Sequence, residues 1–502
     1  MQANFNLLTE AMGRRRMADY VVECLAAAGV THVFGMPSDA VCVVFDAIRR
    51  HGGIKVVSVR HEGSGALAAS ALAKLTGTLG VCVSHCGPGA THLPIGTYDA
   101  RADGAPLLAM TGQVPIHQVG ADGFQEIDTV ALFADSTAYD LLLSSVAQTT
   151  IPALACATAL ASRTAVHLSL PSSVLMTAAP KGARPFVDPA WMNLRAEPRP
   201  ADLDRAASLL SSVEAGAAPR VTALAERLGA PILVLPSGVD LLRTETTRPT
   251  VRLSSRPDDP GRAILARTRR LVVVGRGCPE LFAAADGMRR IVHVAPSSEV
   301  VRPLCGGVHR LAGEAGAVLD ALASRLTGAD RGSRELVSAA EAAAGWAPGR
   351  AEVWAALDRA IPADAVVALE PGEILDAAFF HLAPRERTFT SSYVHGARAY
   401  ALPATMAASI AFPGRQAIGL ATGDGVAEAA AEVLTVRKYG LPVRLVVLGP
   451  ERTPGRAVLD WAAYARASGV EARDASDPAG LERALGEALA TKGPALVPGP
   501  PP

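Results

Sequence analysis

Net charge, paired cysteines and a long apolar segment are all missing from this chain of 502 residues. Lys plus Arg number 48 and Asp plus Glu number 48, so the formal charge is zero, and the basic residues form no stripe. Phosphate backbones are bound mainly through clustered cations, so nucleic acid is not expected as a partner. The seven cysteines, at 24, 42, 82, 86, 156, 278 and 305, are odd in number and include no C-x-x-C pair. That pattern argues against a disulfide framework or a zinc site and predicts a reducing, cytoplasmic setting. Arg14-Arg15-Arg16 is followed by no long apolar run, so neither a signal peptide nor a membrane span is expected.

What the chain has is apolar material, 49% of its residues, enough for several cores. The length suits about three domains. In the first block, strand-like runs such as "THVFG", "IKVVSV", "GVCVSH", "PLLAMTG" and "AVHLSLP" alternate with helical stretches. Such alternation predicts a parallel sheet covered by helices, here a first domain over 1–182. A Pro- and Arg-rich segment, 183–202, reads as a linker. A shorter α/β block follows over 203–332, and a third over 345–502 repeats the alternation with "AVVALE", "QAIGLATGDG" and "VRLVVL". The predicted class is therefore α/β, with three doubly wound parallel-sheet domains.

Ligands of open parallel sheets gather beyond the carboxyl ends of the strands. Three stretches fall at such ends. In "VVSVRHEGSGALAASALAKLTG" (56–77), Glu62 heads a helix of small residues, where the helix dipole favours its anion. It is equally readable as a plain first-turn acid. In "VCVSHCGPGATH" (81–92), Gly87-Pro88-Gly89 is either a turn or a loop offering N–H groups to an anion. Nearby loops add Gln113, Phe124, Gln125 and Glu126. In "GLATGDGVAEAAAEVL" (419–434), Asp424 stands between Gly423 and Gly425, suited to a divalent cation bridging to phosphate or to simple helix capping. The "VVVGRGCPE" stretch (272–280) has only a weak Gly-x-Gly, better read as a turn than as a dinucleotide site.

Taken in order, these stretches resemble the thiamine diphosphate-dependent family typified by acetolactate synthase and pyruvate oxidase. "VFGMPSDA" is similar to the family's VFG-x-PG, "RHEGSGALAASALAKLTG" to its HE-x-x-A helix, and "CGPGATH" to SGPGATN. "PLLAMTGQVP", "FQEID", "ALPATMAASIAFPGRQAI" and the GDG stretch complete the succession. The resemblance implies a pyrimidine-binding domain, a central domain and a diphosphate-binding domain. It also implies a 2-keto acid substrate, thiamine diphosphate with magnesium, and a homodimer or homotetramer with active sites between subunits. On this resemblance Glu62 would hydrogen-bond the aminopyrimidine, and Gln125 would lie on the substrate side as a second catalytic residue. Cofactor contacts would come from Pro37, Ser38, Gly87, His92, Phe124, Arg398, Leu402, Gly423, Asp424 and Gly425. Asp424 would be the first metal ligand.

The pattern breaks in the third domain. Where the family places a second Asn ligand, the chain reads Gly449-Pro450, and Pro450 has no side-chain oxygen. The backbone carbonyl that would be the third ligand falls at Arg452. Glu451 is the available substitute carboxylate. Arg398 occupies the position of an apolar residue that props the cofactor's bent shape, bringing a cation towards a cationic ring. Ser38 replaces the glycine of PG, and His92 the Asn of GPGATN. The magnesium site is therefore expected to be weakened, and no flavin is expected in the short central block. The expected function is decarboxylation of a 2-keto acid, with or without transfer of the acyl carbanion. The alternative is a non-catalytic or repurposed protein of the same fold.

Overall fold

The computed structural model describes residues 14–186, 200, 202–203, 218–243, 245–254, 256–268, 270–275, 290–295, 308–313, 315–325, 334–343, 345–449 and 459–502. The chain divides into two compact units. The first comprises 1–193, 359–371 and 387–501, so it contains both outer sheets; the second comprises 194–358 and 372–386.

The N-terminal sheet has six strands: β1 (His32–Gly35), β2 (Lys55–Ser58), β3 (Gly80–Ser84), β4 (Leu107–Gln113), β5 (Tyr139–Leu142) and β6 (Ala165–Pro171). All neighbours are parallel, in the order β2-β1-β3-β4-β6-β5. The second unit carries a parallel pair, β7 (Ile232–Val234) and β8 (Thr250–Arg252), and a parallel trio, β9 (Arg270–Val274), β10 (Arg290–Ala295) and β11 (Val308–Ala312). The C-terminal sheet contains β12 (Val366–Leu369), β13 (Thr388–Thr390), β14 (Ala417–Thr422), β15 (Val443–Leu448), β16 (Glu471–Ala472) and β17 (Ala495–Gly499). Its order, β13-β12-β14-β15-β17-β16, repeats that of the first sheet strand for strand.

The repeat decides where sites can form. In each outer sheet the chain order reverses between the first and third strands, and at such switch points the loops diverge and leave a crevice. The two crevices are bounded by the loops after β1 and β3, and by those after β12 and β14.

The helix Glu62–Thr76 is the hub of the first unit. It starts at His61, whose ring accepts the Gly63 N–H at 3.1 Å, and stops at Gly77, where φ is +72°. Left-handed backbone of that kind suits glycine. Its run of Gly, Ala and Ser is explained by packing: a β-carbon at Gly96, on the helix Pro94–Asp103, would come within 2.4 Å of the Ala66 β-carbon, and one at Gly80 within 2.1 Å of the Ala69 carbonyl oxygen. Small side chains let these elements approach closely.

One apolar core serves both outer sheets, with Phe34, Leu67 and Ala109 in the same cluster as Leu402, Met406, Ala421 and Val447. A buried polar knot fastens them as well. Lys74 donates to Asp99 and to the Ser391 carbonyl, both at 2.9 Å, and to Asp103, while its ammonium lies 4.6 Å from the Tyr400 ring centroid. Asp103 in turn accepts the Tyr393 and Val394 N–H groups. Burial disfavours the ammonium, but Asp103 and Asp99 outweigh it and shift its pKa upward.

In the second unit, Arg252 caps the helix Glu373–His381 by donating to the Phe379 and Phe380 carbonyls. β9 runs into Gly275, at φ +98°, and the remainder of the Gly-x-Gly stretch lies outside the described residues. No helix among the described residues is long and apolar enough to cross a membrane.

Candidate active site

The N-terminal crevice gathers most of the residues singled out from the sequence. Glu62 follows β2 and opens its helix. It is only 6% exposed. Its Oε2 is 2.9 Å from Nδ1 of His92, whose side chain is 43% exposed, and the His61 and His92 rings lie 4.4 Å apart. The other oxygen, Oε1, lies over Gly89, where a β-carbon would come within 3.2 Å of it. Among the described residues no hydrogen bond to Oε1 is formed, so that lone pair faces the crevice unspent. His61, Glu62 and His92 bring ligand-type atoms within 4.8 Å of one another. Each ring's Nδ1 is already engaged, by the Gly63 N–H and by Glu62, which leaves only the Nε2 atoms for any cation.

The carboxylate is fixed from behind. Glu432, fully buried, heads the helix Glu432–Tyr439 and accepts the Arg60 N–H at 3.0 Å and the His61 N–H at 2.9 Å. Burial raises its pKa, against those donors. Glu432 thus ties the C-terminal half of the unit to the two residues preceding Glu62.

The Gly87-Pro88-Gly89 loop is shaped by what lies against it. Gly87 has φ +56°, and a β-carbon there would strike the Gln125 carbonyl oxygen at 2.7 Å. Gln125 itself has φ +63°, a left-handed conformation costly for a non-glycine residue. Its Oε1 is 2.7 Å from Nε2 of His85, whose Nδ1 is 3.1 Å from the Ser38 hydroxyl. Phe124, one residue earlier, is 89% exposed. The same loop is closed by Glu126, which accepts the Gly120 and Gly123 N–H groups and has its pKa lowered chiefly by the Gly120 bond. Gln113 braces it, donating to the Ile127 carbonyl and accepting the Val114 N–H. Gln113 and Glu126 are therefore structural partners of the loop. Pro37 is exposed beside Ser38.

The C-terminal crevice holds the second group. Asp424 is exposed in the first turn of the short helix Gly423–Glu428, capped by the Thr422 hydroxyl accepting the Gly425 N–H at 3.2 Å. Gly423 and Gly425 are required by close packing: β-carbons there would lie 2.8 Å from Nε1 of Trp461 and 2.5 Å from the Glu370 carboxyl. Glu370, at the end of β12, is 3% exposed and accepts the Ala399 N–H at 2.8 Å. Burial pushes its pKa up to about 7, with Glu428 adding to the rise and Arg398 opposing it. Arg398 is exposed and its Nε lies 3.2 Å from Glu428, the last residue of Asp424's helix. Leu402 is buried in the core of the helix Ala401–Ala411, where it packs with its neighbours. Pro450, Glu451 and Arg452 lie outside the described residues.

The sequence reading passed over His85, Glu370 and Glu432. His85 stood inside a quoted motif, and Glu370 ends a quoted strand. Glu432 carried no local signal, because its partners lie some 370 residues away.

Two comparisons with known proteins bear on these crevices. The thiamine pyrophosphate enzyme N-terminal TPP binding domain matches residues 15–132, and the corresponding C-terminal TPP binding domain matches residues 374–453. A Bacillus subtilis (strain 168) protein named as thiamine pyrophosphate-containing, YdaP, is 45% identical over 130 residues, 26% of this chain and 23% of its own. The acetolactate synthase isozyme 2 large subunit of Escherichia coli (strain K12) is 43% identical over 128 residues, 26% of this chain and 23% of its own. Pyruvate oxidase of Lactiplantibacillus plantarum is 43% identical over 122 residues, 24% of this chain and 20% of its own. The matched stretch thus spans about a quarter or less of each of these relatives.

Proposed function

We propose, from the premise that this chain carries the N- and C-terminal binding domains of a thiamine pyrophosphate enzyme of the acetolactate synthase and pyruvate oxidase type, that it decarboxylates a 2-keto acid. The observation that carries the reading is the Glu62 carboxylate, buried at the sheet edge with Oε1 open to the crevice beside Gly89. A mostly buried carboxylate with one oxygen left unpaired at the crevice suits a hydrogen bond with a heteroaromatic ring nitrogen.

The residues present fit the aminopyrimidine end of thiamine diphosphate. Glu62 Oε1 would share a proton with the ring nitrogen, and His92, on Oε2, holds the carboxylate in place and connects it to solvent. Glu432 keeps the helix start from shifting. When bound, the cofactor supplies the electron sink for decarboxylation. At the other end, Asp424 is the available oxygen ligand for magnesium, with Glu451 as the candidate second. Gln125 and Phe124 line the substrate side, and the exposed Phe124 supports a site completed by a second copy of the chain, as homodimer or homotetramer. The free cysteines among the described residues, Cys24, Cys42, Cys82, Cys86 and Cys156, support a reducing cytoplasmic setting.

The test is Glu62→Gln, which keeps shape and removes the charge. Decarboxylation of pyruvate should fall by about a hundredfold or more with thermal stability maintained. Unchanged turnover would sink the assignment. The second reading, a repurposed scaffold, is favoured by Pro450, which offers no side-chain ligand to a metal. It predicts that magnesium adds nothing to thiamine diphosphate binding.

A further inference from the structure

We propose that His85, together with Ser38, is a positioning residue that locks the Gln125 amide with its N–H groups facing the substrate, so that the site selects substrates presenting a hydrogen-bond-accepting oxygen there. The inference rests on the 2-keto acid reading for its substrate and on geometry for the rest.

The three side chains form one chain of hydrogen bonds across the switch point. Ser38 follows β1, His85 follows β3, and Gln125 lies on the loop after β4. The Ser38 hydroxyl is 3.1 Å from Nδ1 and Gln125 Oε1 is 2.7 Å from Nε2. An amide oxygen only accepts, so Nε2 must carry the hydrogen, and in the neutral ring Nδ1 must then accept from the Ser38 O–H. The amide is held the same way if the ring is protonated, because Nε2 bears its hydrogen in both forms. Cys86 Sγ, 3.7 Å from Nε2, is a weak competing partner.

With Oε1 spent, Gln125 has only its NH2 group left to offer the crevice. Its backbone stands at φ +63° with its carbonyl packed against Gly87. The same loop carries Gly89, whose α-carbon separates His85 from Glu62: a β-carbon there would meet His85 Cβ at 3.0 Å and Glu62 Oε1 at 3.2 Å. The aimed amide and the carboxylate are therefore referenced to one stretch of backbone. A pair of N–H donors at that place complements a carboxylate or a ketone oxygen and offers nothing to a donor group.

Two measurements on the full chain test this. In protein labelled with ¹⁵N-histidine, the His85 signal, assigned by its loss in His85→Gln, should report the Nε2–H tautomer, shifting to a tautomer mixture in Gln125→Leu. An Nδ1–H tautomer in the wild type, or no change in Gln125→Leu, overturns the proposal. With thiamine diphosphate, magnesium and pyruvate, His85→Phe should raise KM about tenfold while kcat changes less than about threefold. His85→Gln, which keeps a donor at the Nε2 position, should restore KM to within about threefold of wild type. Equal loss of kcat in both variants, with KM unmoved, overturns it. If the wild type fails to turn over pyruvate, the 2-keto acid reading falls, and the tautomer measurement alone decides for or against His85.

Discussion

The Glu370 carboxyl lies where a side chain at Gly425 would have to go, 2.5 Å from an ideal β-carbon on that glycine. The glycine beside Asp424 is thus fixed by a protein carboxyl behind it. Glu370 cannot withdraw, because it accepts the Ala399 and Ala401 N–H groups. Gly425→Ala should therefore destabilise the fold by about 1–3 kcal/mol, the usual cost of overpacking. Gly414→Ala, where a β-carbon meets nothing within 4 Å, is the control for glycine removal itself. Equal denaturant midpoints for the two variants would contradict this.

Glu370 also gives the unit a pH dependence. Its carboxyl has an ordinary value of 4.5 and is pushed up to about 7 by burial. The folded state therefore holds its proton over a range where the unfolded chain has lost it. The associated stability is fully present below about pH 4.5, declines as pH rises, and is gone above about pH 7, a difference on the order of 3 kcal/mol. Glu370→Gln keeps an acceptor for Ala399 and removes the titration. Its melting temperature should exceed that of the wild type at pH 8 and approach it at pH 5; a constant difference across that range would refute the assignment.

Glu432 is predicted to matter for the site without touching it. Glu432→Ala removes the acceptor of the Arg60 and His61 N–H groups, at about 0.5–1.5 kcal/mol each. The start of the Glu62 helix should then loosen. Amide exchange at His61 should accelerate, and thiamine diphosphate binding should weaken by about tenfold or more. Faster exchange with unchanged binding would separate Glu432 from the site.

Much of the fold was legible because hydrophobic strands alternating with small-residue helices admit few arrangements other than a parallel sheet. Glu62, Gly87 and Asp424 stood out because each lies where a strand gives way to a helix, whereas Gln125 was singled out on a loop and by resemblance. The strand order shared by the two outer sheets was not, since pairing between distant strands leaves no periodic trace in a single chain. Nor were the fates of particular groups. Arg398, read as a charge aimed at the cofactor, is paired with Glu428, and only the fold brings those two side chains together. Gly423 and Gly425, read as cofactor contacts, lie against Trp461 and Glu370, which come from other elements. The stretch holding Glu451 lies outside the described residues, so its part in metal binding stands as a proposal.

The most direct measurement is isothermal titration of the purified chain with thiamine diphosphate, with and without magnesium, in the wild type and in Asp424→Asn. The account predicts micromolar binding that requires magnesium and weakens by about tenfold or more in Asp424→Asn. Absence of binding in both conditions, or binding indifferent to both magnesium and Asp424, would contradict it.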